Sequence, residues 1–275
     1  MENTKTVKAL KKQLVAAIAM VLVAAVALGS STYAWFVSNN TVKATTATIS
    51  AQSNAPFLMI DKTNITKDST TTISFSELEN TALYPAQVVK AKTGTSALFQ
   101  SAYASGKDTE TELANSRYDV GNAETAVTDE FAIKETFKIG TYDEKAGSFS
   151  NLKVSKVEVV TGAENALGLK KAISVLLVCG DKWAVYKASA DGAVLDKYSD
   201  GTTSIDCTAT DGILAATIAK GKSVDVEAYV FYDGSEANVK TSNITNLKDC
   251  NVTLTFTATP MNTQGTAVDV TNEAK

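Results

Sequence analysis

The segment Asn251-Val252-Thr253-Leu254-Thr255-Phe256-Thr257-Ala258-Thr259 alternates apolar side chains with threonine or asparagine along its whole length. A period of two sends successive side chains to opposite faces of a pleated strand. Val252, Leu254, Phe256 and Ala258 therefore read as a core-facing row and the threonines as a wet one. Ser223 to Tyr232 repeats the pattern, with Val224, Val226, Ala228 and Val230 inward and Asp225 and Glu227 outward. Both read as strands of an antiparallel sheet with one solvated face. Ile173 to Cys179 is apolar but for Ser174, which predicts a central strand buried on both faces. Gly180-Asp181 then offers a tight turn into Trp183–Tyr186, making a hairpin.

Working outward, further strands are expected at Val42–Ala51, Phe57–Ile60, Thr71–Phe75, Phe131–Ile139, Leu152–Val160 and Ile213–Ala219. Short strands separated by Gly, Asn, Asp and Ser favour an all-β, antiparallel, jelly-roll-like β-sandwich over an α/β layering. Lys90 to Thr128 is rich in Thr, Ser, Ala and charge, and reads as a long surface excursion with room for one short helix. No shift of composition divides the remainder, so residues 52–275 are read as one sandwich domain.

Composition removes many functions. The 275 residues include no histidine, which excludes Ser-His-Asp and Cys-His mechanisms, HExxH zinc peptidases and histidine-bound iron or copper. Arg117 is the sole arginine among 26 basic residues, and the net charge of −4 supplies no basic footprint for nucleic acid. Phosphate-loop, dinucleotide-binding and nucleophile-elbow motifs are absent, and no carboxylate pair stands out as catalytic, so the chain reads as a non-enzyme without cofactor. Asp-Gly and Asp-rich steps between 191 and 236 lack the spacing of a calcium loop and read as hairpin turns; no metal ligand is assigned. The N-x-[ST] triplets at Asn39, Asn64, Asn243 and Asn251 are read as chance in a threonine-rich chain.

The N-terminus has an export pattern. Lys5, Lys8, Lys11 and Lys12 precede an uncharged apolar run from Leu14 to Leu28, then Gly29-Ser30-Ser31 and Thr32-Tyr33-Ala34. Basic, apolar and small-residue regions in that order form a secretory signal, so residues 1–34 read as a signal peptide with its processing site at Ala34 and Trp35. The alternative is an uncleaved anchor, since no charge falls between Lys12 and Lys43 and an extended helix could cross about 30 Å of hydrocarbon. Cleavage would remove four lysines and one glutamate, taking the net charge from −4 to −7. An exported chain with three cysteines has one left over; Cys207 and Cys250, each at a strand margin, are the expected disulfide, with Cys179 a buried thiol.

Just past the cut runs Trp35-Phe36-Val37-Ser38-Asn39-Asn40-Thr41-Val42-Lys43-Ala44-Thr45-Thr46-Ala47-Thr48-Ile49-Ser50-Ala51. The junction Tyr33-Ala34-Trp35-Phe36 and the strand after it resemble the TasA/camelysin family of Gram-positive exported proteins. Leu83-Tyr84-Pro85-Ala86, Tyr229-Val230-Phe231-Tyr232-Asp233-Gly234 and Asn251 to Ala258 are similar to segments of the same and related surface proteins. The resemblance implies a jelly-roll sandwich, cut by a SipW-type signal peptidase and polymerised with itself into extracellular matrix fibres. It also implies that residues 35–51, through Trp35, Phe36, Val37, Val42, Ala44, Ala47 and Ile49, act as a donor strand that completes the next subunit's sheet. A β-prone tail that adds to an exposed edge gives a contact that repeats without closing. The peptidase activity ascribed to some members is not expected, because histidine is missing. The membrane is met only through the N-terminal helix before cleavage, and the product is secreted to the matrix or cell surface. Two other readings stand beside this one: a monomeric surface adhesion module held by an uncut helix, and a carboxylate hydrolase.

Overall fold

The computed structural model describes residue 20 and residues 42–43, 46–53, 58–74, 78–79, 82–90, 96–101, 117–142, 147–160, 169–189, 192–201, 204–206, 212–236, 239 and 250–261. Residues 1–40 form a unit of their own; the architecture below belongs to the second unit, residues 41–275. In chain order its strands are β1 (Val42–Lys43), β2 (Thr46–Ser53), β3 (Met59–Asp61), β4 (Thr72–Ser74), β5 (Leu78–Glu79), β6 (Ala82–Leu83), β7 (Ala86–Lys90), β8 (Ala97–Ser101) and β9 (Asp119–Gly121). A six-residue helix, α1 (Ala123–Thr128), intervenes before β10 (Ile133–Gly140), β11 (Ser148–Val160), β12 (Ile173–Cys179), β13 (Lys182–Ser189) and β14 (Gly192–Ser199). The chain continues through β15 (Ser204–Asp206), β16 (Ala215–Ile218), β17 (Ser223–Tyr232) and β18 (Cys250–Met261).

The fold is all-β, as the alternation predicts. A seven-stranded sheet, β15-β14-β13-β12-β17-β10-β3, faces a second sheet ordered β16-β11-β18-β2-β4, with β5 also paired to β2. Their inner faces share one hydrophobic core that includes Phe137, Val175, Leu177, Val226 and Ala228 from the first sheet and Phe149, Val157, Val252, Leu254 and Phe256 from the second. Phe137 and Phe256 meet edge to face across it, with ring centroids 5.6 Å apart. In β18 the residues Val252, Leu254 and Phe256 are fully buried, as expected.

The hairpin is also where the sequence placed it. Cys179 pairs with Lys182, leaving Gly180 and Asp181 as a two-residue loop. Gly180 has φ +59° while Asp181 is not in the positive-φ region, the pattern of a II′ turn, whose first central residue needs glycine.

Three expectations are corrected. First, 90–128 is not merely a surface excursion. It holds the short helix but also β8 and β9, which pair with β7 as a three-stranded sheet. Ala97-Leu98-Phe99-Gln100-Ser101 alternates buried and half-buried side chains. At five residues the run is too short to stand out from polar surroundings. This sheet and α1 lie on the outer face of the seven-stranded sheet, enclosing a second core with Phe99, Phe131, Leu176, Trp183, Tyr229 and Phe231. The apolar composition of β12 reflects two distinct cores: Val175 and Leu177 enter the first, Leu176 the second. Likewise β17 alternates only in its first half, because Tyr229 and Phe231 are buried under the third layer.

Second, the sheet holding β18 is mixed. β18 runs antiparallel to β11 but parallel to β2, from Cys250 opposite Ala47 to Phe256 opposite Ser53. Nothing in the period of a strand encodes its neighbour's direction. Third, Thr255 belongs to the row expected to be wet, yet it is only 5% exposed. It lies mid-sheet opposite the long side chain of Lys156, and its carbonyl accepts the hydroxyl of Ser155 at the register break between Val154 and Lys156.

One close approach makes a sharp prediction. A Cβ on Gly140 would fall 2.3 Å from the Lys222 carbonyl oxygen and 2.5 Å from Ser223 Cα, backbone atoms held by the Thr141 N–H bond to that carbonyl (3.0 Å). Gly140→Ala must therefore prise β10 from the start of β17, and a loss of about 1–3 kcal/mol is expected in urea unfolding. An unchanged midpoint would show that the strands are not this close.

Candidate functional site

β2 carries the residues read as a donor strand. Ala47 and Ile49 lie within it, opposite Cys250 and Val252 of β18, and β4 and β5 pair with its other edge. The strand thus fills a slot inside its own subunit's sheet, and it runs to Ser53, two residues past the expected boundary at 51. Val42 lies in β1, opposite Leu83 of β6. Trp35, Phe36, Val37 and Ala44 lie outside the described residues, as does the Ala34–Trp35 junction. So does Cys207; Cys250 opens β18, and Cys179 is a buried free thiol, its pKa pushed up to about 11 by burial.

The segments quoted for their resemblance meet in space. Leu83 reaches the main core and Ala86 the second one, so Leu83-Tyr84-Pro85-Ala86 is the crossing between layers. The Tyr84 N–H donates to the Glu130 carbonyl at 2.9 Å, and its ring packs 5.4 Å from that of Phe131. Ala86 bridges Asp233, and the Gly234 N–H donates to the Ala86 carbonyl at 2.9 Å. The Asp-Gly step that ends β17 therefore joins the third layer to the sandwich. Asp233 is 4% exposed and is pinned by its own N–H to the Ala172 carbonyl at 2.7 Å. Its Oδ1 accepts the Ser235 N–H at 3.0 Å, the side-chain turn that aspartate favours, and its Oδ2 meets Lys187 Nζ at 2.9 Å. Lys187 also meets Glu236 Oε1 at 2.8 Å and Asp196 Oδ1 at 3.8 Å. Burial favours the neutral amine, but Asp233, Glu236 and Asp196 outweigh it and hold the ammonium above the ordinary lysine range. Lys197 adds a tie, donating to the Val88 carbonyl at 2.7 Å. The sequence offered these groups only as turn residues, since contacts between distant residues carry no local signal.

A second polar cluster staples α1. The Asn122 side chain caps the helix, accepting the Thr125 N–H at 2.9 Å, which sets Glu124 in the first turn. Lys134 pairs with Glu124 and, at 2.7 Å, with Glu227, while the Tyr229 hydroxyl lies 2.8 Å from Glu124 Oε1 and 2.9 Å from Glu227 Oε2 and shares its one proton between them. Lys134 and Tyr229 hold the Glu124 carboxyl below its usual range. Burial, then the bonds to both carboxylates, push the Tyr229 hydroxyl well above its usual range, so it stays protonated. Every member is engaged with another, which suits a fastening better than acid–base chemistry. Beside it lies a concavity of about 250 Å³ lined by Asn122, Glu124, Asp181, Trp183, Glu227 and Tyr229 among others. Among the described residues no group of three or more Cys, Asp or Glu side chains is placed to hold a metal ion.

No protein-family model, no curated protein and no solved structure matches this chain.

Proposed function

We propose that this chain is the structural subunit of an extracellular fibre, exported, processed near Trp35 by a SipW-type peptidase, and polymerised by passing its N-terminal strand to the next subunit. The observation that carries the reading is the place of β2. It is the first long strand of the unit, yet it sits inside a sheet, paired in parallel with the last strand. A parallel neighbour cannot be held by a hairpin, so its place depends on long-range pairing. The same slot accepts an identical strand from another copy at little net cost, since every backbone bond is remade. Exchange around an open chain of subunits gives a fibre, and the resemblance of the Tyr33-Ala34-Trp35-Phe36 junction to exported matrix proteins points the same way.

The same pairing also favours the runner-up, a monomeric surface module that keeps β2 at home. Chains starting at Trp35 and at Asn54 separate the two. The longer is expected to give filaments by negative-stain microscopy and fast sedimentation, and the shorter none. A Trp35 chain that stays monomeric at high concentration returns the module reading to first place. Because assembly rests on backbone pairing and burial, filament yield is expected to be unchanged by EDTA. Loss of filaments on chelation, with recovery on adding calcium or zinc, would instead make a metal part of the contact.

A further inference from the structure

We propose that Lys187 and Asp233 become joined by an intramolecular isopeptide bond, with Glu236 as the catalytic proton carrier, so that β13 and the end of β17 are covalently fastened across β12. Asp233 and Glu236 share the turn after β17, whereas Lys187 comes from β13. Lys187 is on the outer face of β13, in line with Trp183 and Val185 of the second core. Asp233 follows Tyr229 and Phe231 on the same face, one strand beyond β12. Between them lies Ser174, paired with Lys187 on one side and Phe231 on the other and fully buried. Its short side chain leaves the lysine room to cross.

The geometry is that of reactants already docked. Lys187 Nζ is 2.9 Å from Asp233 Oδ2 and 2.8 Å from Glu236 Oε1. The carboxyl carbon lies one bond beyond the near oxygen, so a small rotation of either side chain brings nucleophile to electrophile. Asp233 rather than Glu236 is the electrophile. Its side chain is 5% exposed and its backbone is locked to Ala172, whereas Glu236 is 34% exposed and can exchange protons with solvent. The rigid, dry carboxyl suits amide formation, and the wetter one suits proton carriage.

The step balances without a co-reactant. A proton passes from the Lys187 ammonium through Glu236 to Asp233, leaving a neutral amine facing a carboxylic acid. The Nζ lone pair attacks Cγ, Glu236 takes the proton released from nitrogen, and it returns that proton to the departing hydroxyl. One C–O bond breaks, one C–N bond forms, one water leaves, and Glu236 ends as it began. The opposite charges of Lys187 and Asp233 are replaced by one neutral amide. Because Gly234 is hydrogen-bonded to Ala86, the new amide also fixes the Asp-Gly turn on which β7 rests.

Mass spectrometry of the full purified chain tests this. The protein is expected to be one water lighter than its sequence, and tryptic digestion to yield a branched peptide joining Lys187 to Asp233. Asp233→Ala and Glu236→Gln are each expected at full sequence mass, with circular dichroism of the glutamine variant confirming a folded sandwich. A wild-type chain at full mass overturns the proposal, and a branch from Lys187 to Glu236 overturns the choice of electrophile. Continued loss of water in Glu236→Gln overturns the role given to Glu236.

Discussion

Phe256→Asp is expected to abolish folding of the sandwich, while Thr257→Asp, one residue on, is expected to be nearly silent. Phe256 is fully buried, packed edge to face on Phe137 and in register with Val154. Aspartate there loses the aromatic contacts, opens a cavity and leaves a carboxylate either desolvated or dragging β18 outward. The combined cost is about 4 kcal/mol or more, a large part of the roughly 5–15 kcal/mol by which a domain is stable. Thr257 points the other way and faces the exposed Lys153 in register, so a carboxylate there gains an opposite charge and stays within about 1 kcal/mol of wild type. Thr255→Asp, by contrast, is expected to be costly, since that threonine is buried. Thermal melts of the three variants check the order. Equal losses for Phe256→Asp and Thr257→Asp would mean that the two faces of β18 have been misassigned.

Phe99→Ala is expected to cost about 3–5 kcal/mol, the loss that follows deletion of a fully buried aromatic ring. Phe99 lies in the middle of a stretch whose composition reads as surface. It is nevertheless fully buried, edge to face on Phe231 with centroids 5.3 Å apart. Leu98→Ala on the same strand is only half-buried and is expected to cost much less. Chemical denaturation of both variants decides the status of the third layer. A Phe99→Ala loss no larger than that of Leu98→Ala would return 96–128 to a loosely attached loop. A first transition confined to the third layer, ahead of the sandwich, would show that the two cores unfold separately.

These two results would also bear on the proposed fibre. In a strand-exchanged polymer, load would pass from β2 through β18 into the main core. The third layer is attached through the Ala86–Asp233 bridge and the bond from Lys197 to the Val88 carbonyl. Its loss in Phe99→Ala is expected to weaken filaments without stopping their formation, because β2 and its slot lie in the other sheet.

Much of this architecture was written locally. The period of two in β18 and in the first half of β17 specifies both the strand and its buried face, because side chains alternate by backbone geometry alone. Gly180 in the hairpin and the apolar run of β12, interrupted only by Ser174, are equally direct: the one supplies positive φ, the other announces burial on two sides. What covers the second side of β12 was not legible, since an apolar surface says that it must be covered but not by which segment. The same limit hides the parallel pairing of β2 with β18, for the hydrogen-bonding groups of a strand accept either direction and the choice rests on how the intervening chain closes. Asp233 and Glu236 read in sequence as turn residues, and nothing local singles out Lys187. Only the stacking of β13, β12 and β17 brings their side chains within bonding distance, because electrostatic and reactive contacts depend on separation in space, and separation along the chain does not encode it.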